Sequence, residues 1–392
     1  MAEVAAKKGW TQVAFGDVVQ LSKERSRDPE GDGLERYVGL EHLGPSDLKI
    51  RRWGNVVDGT TFTTVFRPGQ VLFGKRRAYQ RKVAVAEFSG VCSGDIYVLE
   101  PKNEHLLPEL LPFMCQTDGF FEHAIRTSAG SLSPRTNWKS LATFEFALPP
   151  IEEQRRIVEA LVALDREIDF LRATSAHLET IEMAVVAECL QLEGAVETTV
   201  GAAFQLQIGR QRAPKYALGN NPCPYLRAAN IKDGRLLLEE VFEMDFDARS
   251  RRTFGLRRGD VLITEGCGSP EELGATARWD GELPGDVCFQ NTLIRLRPRK
   301  GVTTAEFAYA WARYAYLSRQ FLRIARGSNI LHIGSRRLEA MPIQLPPLKT
   351  QEDLAKSLAV CETGLKSVGR RVTALWLLRR DLLGGTLGKT HD

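Results

Sequence analysis

The segment 146-FALPPIEEQ-154 returns as 343-IQLPPLKTQ-351, with Pro149 matched by Pro346 and Gln154 by Gln351 at an offset of 197 residues. The chain is 392 residues long, so the period is half of it. A repeat on that scale means a fold built twice, and it governs how the rest is read. Upstream, 68-PGQVLF-73 corresponds to 258-RGDVLI-263 and 98-VLEP-101 to 295-RLRP-298, with small insertions between. Just before each Leu-Pro-Pro, 126-RTSAGSLSPRTNWKSL-141 aligns with 323-RIARGSNILHIGSRRL-338, so that Gly130 and Ser131 match Gly327 and Ser328. The framework is kept while the loop chemistry changes.

Downstream of each Leu-Pro-Pro lies a long amphipathic helix. Ile157, Leu161, Leu164, Ile168, Leu171, Ser175, Leu178, Glu182 and Val185 step by alternating fours and threes, the seam of a left-handed coiled coil. The same offset gives Leu354, Leu358, Cys361, Leu365, Val368, Val372, Leu375, Arg379 and Leu382. Prolines just ahead of each start, acidic Glu152, Glu153, Glu352 and Asp353 in the first turns, and Gly194 and Gly384 as stops bound two helices of roughly 35 to 40 residues, about 55 Å each. Gly364 and Gly369, at about 1 kcal/mol each against alanine, predict a bend in the second helix or a heavier dependence on partners. A stripe of this kind can also pack each helix on its own preceding domain. The matched polar interruptions favour pairing of the two helices with each other.

Residues 10–148 and 197–345 read as mixed α/β domains. Runs such as 83-VAVAEF-88, 94-GDIYVLEP-101 and 287-VCFQNTLIRLRP-298 are strand-like, while 105–126 and 305–325 are helical in pattern. The expected organisation is a first domain over 1–148, a central spacer helix over 149–194, a second domain over 195–345 and a distal spacer helix over 346–392.

Composition excludes several classes. With 43% hydrophobic and 26% charged residues the chain is globular, and no apolar run reaches about 18 residues, so neither export nor a membrane span is expected. Seven cysteines without a C-x-x-C pair argue against a disulfide framework or a zinc ribbon and fit a reducing cytoplasm. Net charge is only +4, but cations cluster at 75–82, 249–258 and 295–300.

Gly69, Gly74 and Lys75 nearly complete a P-loop, yet Arg76 has no hydroxyl for magnesium, and Gln70, Val71, Leu72 and Phe73 are strand-like rather than an amide cradle. The partner segment 259-GDVLITEGCG-268 keeps the strand and lacks the lysine. The segment is therefore a shared framework strand, 69–73, followed by a variable basic loop. In that loop Lys75, Arg76, Arg77, Arg81 and Lys82 surround Tyr79, a composition suited to phosphate contacts with an aromatic near the backbone. The plain alternative is a solvated basic loop. A second candidate set is Ser128, Ser131, Ser133, Arg135 and Asn137 with, in the other half, Arg326, Ser328, Asn329, His332 and Arg336, equally readable as structural turns; Gly130 and Gly327 permit close backbone approach. Arg210, Arg212 and Lys215 form a third.

No metal site is expected, since His42 and Cys288 read as lone framework residues. The stretch 220-NNPCPY-225 is superficially like the Asn-Pro-Pro-Tyr site of adenine methyltransferases, but Cys223 separates the prolines, and 88-FSGVCSG-94 leads into a strand rather than the helix a cofactor turn needs. No nuclease cluster of Asp followed by Glu-x-Lys stands out.

Two variable α/β domains, each followed by Leu-Pro-Pro, a Gln-bearing helix start and a long heptad helix, resemble the specificity subunit of Type I restriction-modification systems across essentially the whole chain. The most specific residues are 148-LPPIEEQRRIV-158, 69-GQVL-72 and 92-CSGDIYVL-99. The distal copy departs from the family in Lys349-Thr350 before its Gln351. The resemblance implies an α/β fold of two target recognition domains joined by two antiparallel helices in pseudo-two-fold fashion, each domain reading one half of an asymmetric split site on double-stranded DNA. It implies helices that set the unread gap by holding the two domain centres near one helical turn apart, about 10 bp, and that dock two methyltransferase subunits, with motor-nuclease subunits added for cleavage. The chain itself would then bind no cofactor, and S-adenosylmethionine, ATP and Mg would sit on the partners. Three alternatives remain open: a specificity module of another phage-defence or Type II methyltransferase-nuclease assembly, a coiled-coil assembly protein without DNA function and, less favoured, an adenine methyltransferase.

Overall fold

The structure, a computed structural model, describes residues 9–213, 216, 219–232 and 234–387, excluding the side chains of 386 and 387. The chain divides into two units, residues 1–172 with 369–392, and residues 173–368.

In the first unit the framework phrases become the central strands of an antiparallel sheet ordered Val19–Leu21, Ile96–Pro101, Val71–Gly74, Val83–Val85. The second unit repeats it as Phe204–Ile208, Leu293–Pro298, Asp260–Thr264, Thr276–Trp279. Every residue of the inner strands Val71–Gly74 and Asp260–Thr264 is buried, which is why 71-VLFG-74 and 261-VLI-263 read as continuous rather than alternating apolar runs. A smaller sheet accompanies each. It holds Gly54–Asn55, Arg36–Val38, Gly90–Cys92 and Thr64–Phe66 in the first unit, and Phe242–Asp245, Pro222–Leu226 and Cys288–Phe289 in the second. Each contains one parallel pair, Arg36–Val38 with Gly90–Cys92 and Pro222–Leu226 with Cys288–Phe289. The Asn-Pro-Cys-Pro-Tyr stretch is therefore mostly strand and not an adenine-holding loop.

Several boundaries differ from the sequence reading. The stretch 105–126 is helical only at Leu111–Met114 and Asp118–Arg126, because the Thr117 hydroxyl accepts the Phe120 N–H and starts a new helix. In the second unit the corresponding helix breaks after Leu317, where Arg319 takes a left-handed φ of 58°. Gly384 is not a stop: the distal helix runs unbroken from Leu348 to Leu387, and the central one covers Ile151–Cys189. Gly364 has a packing reason, since a Cβ there would lie 3.3 Å from a Leu178 methyl.

The conserved spelling of the repeat has a direct physical cause. A two-stranded ladder, Thr11–Ala14 with Glu145–Leu148, delivers the chain to Pro149 and Pro150, and the central helix begins at Ile151. Gln154, fully buried, donates from Nε2 to the carbonyls of His105 and Pro149, both at 2.8 Å, and accepts the Leu107 N–H at 2.9 Å. Gln351 repeats the arrangement with Val302 at 3.0 Å, Pro346 at 2.9 Å and the Thr304 N–H at 3.0 Å. One buried amide thus satisfies three backbone groups that would otherwise be orphaned. It bolts each helix start to its domain.

Each unit's core takes in both helices. Ile157, Leu161 and Leu383 join the first core, and Val186, Cys189 and Leu354 the second. In the first unit the helices run antiparallel, linked by Arg379 with Asp165 at 2.6 Å, by Arg371 with Glu167 at 3.0 Å, and by the Arg172 guanidinium 5.5 Å from the Trp376 ring centre. Of the seam residues, Ile157, Leu161, Ile168, Leu171 and Leu354 are buried, while Leu164, Leu178, Leu358, Leu365, Val368, Val372 and Leu375 are partly so.

Candidate nucleic-acid interface

The basic loop of the first unit is not a free fringe of charge. Its backbone is clamped to the hairpin 129–135: the Lys75 N–H donates to Asp95 O at 3.0 Å, the Thr136 N–H to Lys75 O at 3.0 Å and the Arg77 N–H to Pro134 O at 2.7 Å, while Ala129 and Arg135 exchange both backbone bonds at 3.0 Å. The side chains tighten the clamp. Asp95 accepts Arg135 Nε at 2.7 Å and Arg76 Nη1 at 3.2 Å, and Ser133 Oγ accepts Arg76 Nη2 at 3.0 Å and Arg77 Nη2 at 3.2 Å. Burial alone would raise the Asp95 carboxyl; the Arg135 and Arg76 guanidiniums hold it below the usual carboxylate range.

Arg77 and Arg81 flank the turn Ala78–Gln80 with left-handed φ of 54° and 53°, which non-glycine residues seldom adopt. Arg81 meets Asp118 at 2.7 Å and stacks 4.6 Å from the Phe121 ring centre, Lys82 Nζ donates to Leu40 O at 2.6 Å, and Lys75 Nζ lies 4.6 Å from the Tyr97 ring centre, with burial lowering its pKa. All five cations are therefore held in place and half-buried, and Tyr79, 55% exposed, is the loop's protruding side chain. At the hairpin tip Ser131 is exposed, and Leu132 stands 90% exposed. Asn137 serves as a helix cap, its side-chain oxygen accepting the Ser140 N–H at 2.9 Å.

The second unit reproduces the clamp with other chemistry. The Glu265 N–H donates to Thr292 O and the Ile333 N–H to Glu265 O, both at 2.9 Å, so Glu265 occupies the position of Lys75. Gly266 and Cys267 follow where Arg76 and Arg77 stood. The Glu265 carboxylate holds His332 Nδ1 at 2.9 Å and accepts the Gly334 N–H at 3.2 Å. A Cβ at position 266 would fall 2.7 Å from that imidazole nitrogen, so a larger residue there would push the half-exposed His332 ring aside. Arg326, Ser328, Asn329 and Arg336 are all exposed, as is Ile330 at the second tip. Arg326 also donates to Ala325 O at 2.8 Å.

Arg210 donates to Asp245 O at 2.5 Å and lies 3.6 Å from the Tyr216 ring centre, whereas Arg212 is exposed; Lys215 falls outside the described residues. The 295–300 cluster is not a binding patch in its arginines. Arg295 donates to Thr253 O and Gly255 O, Arg297 grips Asp260 at 2.6 Å, and Arg299 reaches Phe204 O and Gly201 O. Burial pushes the Arg295 pKa down to about 10.

Asp95, though part of the phrase 92–99, and Leu132, Glu265 and Ile330 are not candidate DNA contacts on sequence alone. The same holds for Trp53, 41% exposed, over which the Arg36 guanidinium lies at 4.4 Å from the ring centre. The adjacent 51-RRW-53 was the available signal.

Comparison with known proteins agrees with this architecture. The family model of the Type I restriction modification DNA specificity domain matches residues 7–180 and 215–367. The StySPI specificity subunit of a Type I restriction enzyme from Salmonella potsdam is 23% identical over 430 residues, covering 96% of this chain and 88% of that protein. The corresponding EcoDI subunit from Escherichia coli is 24% identical over 211 residues, covering 52% of this chain and 43% of that protein, so there the match spans less than half the relative's length. A chain from a structure of the type I R-M system shares the fold with a TM-score of 0.58 at 21% identity, covering 97% of this chain and 98% of that one. The chain belongs to the Type I restriction modification DNA specificity family, and DNA recognition is its role. Among the described residues no helix is long and apolar enough to cross a membrane.

Proposed function

We propose that the chain is the non-catalytic, sequence-reading subunit of a cytoplasmic Type I restriction-modification complex, in which each domain reads one half of an asymmetric, split duplex site. The observation that carries this reading is the pair of clamps. One backbone frame presents Lys75, Arg76 and Arg77 in the first domain and Glu265, Gly266 and Cys267 in the second. A frame held constant beneath exchanged side chains suits two readers of different sequences, because phosphate contacts set position while side chains at base edges discriminate.

In this reading Tyr79, Ser131, Leu132 and Arg135 face DNA in the first domain, and Arg326, Ser328, Asn329, Ile330 and Arg336 in the second. The long helices, 39 and 40 residues, dock two methyltransferase subunits and set the unread gap. Motor-nuclease subunits join for cleavage, and S-adenosylmethionine, ATP and Mg bind to the partners. The chain copurified with its methyltransferase is expected to bind duplex DNA with log K falling by about 0.9 per log unit of salt for each phosphate contacted. Affinity that stayed flat with salt would overturn the proposal.

A further inference from the structure

The polar interruptions of the two helix seams fall at equivalent positions, Arg379 and Glu182, and carry opposite charge. Their surroundings differ to match. In the first unit Arg379, 4% exposed, donates from Nε to Asp165 Oδ1 at 2.6 Å and from Nη2 to Gln116 Oε1 at 2.5 Å, with the rings of Trp376 and Phe113 at 5.2 and 5.5 Å. The offset of 197 carries Gln116 to Arg313, Asp165 to Glu362 and Trp376 to Glu179. In the second unit Arg313 meets Glu182 at 3.5 Å and Glu179 at 3.8 Å. One unit thus seats a basic helix tail on a neutral and an acidic group, while the other seats an acidic tail on an arginine.

From this charge exchange we infer that residues 116 and 313 act as addresses: each domain admits the tail of one long helix and rejects the tail of the other. Put the Glu179 and Glu182 tail against Gln116 and Asp165 and three carboxylates gather, with only Arg81, already donating to Gln116 O at 3.0 Å, and Arg172, beside the Trp376 position, as cations nearby. Put Arg379 against Arg313 and two guanidiniums meet, eased only by Glu362, which is half exposed. Burying a charge without its partner is among the more damaging changes a fold can suffer. The occupant selected against is the central-helix tail of a second copy of this chain, so the address favours the unlike pairing of halves over pairing of like halves. A half borrowed from another specificity chain would be admitted only if its tail matched the address.

The test uses the full chain and hydrogen exchange over residues 372–385. Arg379→Ala removes the contact and is expected to speed exchange roughly a hundredfold, while Arg379→Glu, which presents the acidic tail's residue to the wrong domain, adds on the order of a further tenfold. Adding Gln116→Arg to Arg379→Glu copies the second unit's pairing and should restore protection to within about threefold of the parent, although Gln116→Arg alone is damaging. The ion-pair reversal Asp165→Arg with Arg379→Asp gives a second route to recovery should arginine not fit at 116. Equal exchange in Arg379→Ala and Arg379→Glu, with neither double variant better than its parent single, would show the node to be mere packing and overturn the address.

Discussion

The two domains share a sheet order, a buried glutamine bolt and a backbone clamp, yet the clamps hold opposite chemistry. In the first, Asp95 gathers Arg76 and Arg135 and the loop is cationic; in the second, Glu265 sits at the lysine's position and gathers a histidine. Positions whose backbone bonds repeat are those that build the frame, and positions where only the backbone repeats are free to carry specificity. The comparison separates structure from reading without any bound ligand.

The largest expected effect tests the shared part. Gln154→Ala and Gln351→Ala each orphan two carbonyls and one N–H that are otherwise satisfied, and each is expected to cost about 3 kcal/mol, measured by denaturant unfolding. Clearly unequal costs would mean that the bolts are not equivalent.

Next comes the divergent part. Asp95→Ala frees Arg76 and Arg135 at a partly exposed site, and about 1 kcal/mol of stability is expected to go, with faster exchange confined to residues 129–136. Acid should act similarly. Asp95 has a lowered folded pKa, so its contribution is fully present above the unfolded value near 3.9 and is lost as pH falls through the lowered one. Glu182 behaves oppositely. Burial raises its pKa, and Glu179 and Glu362 add to this against Arg313, so its contribution is full below about 4.3 and is lost as pH rises through the raised value. Exchange measured across pH 3 to 7 is expected to open the 129–135 hairpin at the acid end while the Glu182 region gains protection there.

The smallest effect on stability is expected at the tips. Leu132→Ala and Ile330→Ala touch exposed side chains and should change stability by no more than about 0.5 kcal/mol. Each should nevertheless weaken binding to duplexes carrying its own half-site while leaving the other half-site's contribution intact, read by competition with half-site variants. A stability loss as large as that of the bolt variants would make the tips structural.

Much of the frame was legible because it is written twice. Within the repeated spellings, Pro149, Gln154, Pro346, Gln351, Val71, Leu72 and Phe73 are buried positions where few residue types fit. The boundaries were less legible. Thr117 capping a new helix and Arg319 in a left-handed turn are decided by local hydrogen bonds that periodicity does not report. Charge misled in one place, since Arg295, Arg297 and Arg299 look like a patch in sequence but fold onto backbone carbonyls and Asp260. The site was legible as a loop and not as a network. Nothing near Asp95 in sequence reveals that folding will bring it Arg76 and Arg135, from 19 and 40 residues away.

The central claim, that each domain reads its own half of a split site, is tested most directly by mapping adenine methylation genome-wide in cells carrying the complete system. The comparison is between the parent and a chain in which Lys75, Arg76 and Arg77 and the tip 130–134 are replaced by their second-domain counterparts. One half of a single asymmetric motif is expected to change while the other half and the gap stay as they were. Change in both halves together, or methylation with no split motif at all, would contradict the account.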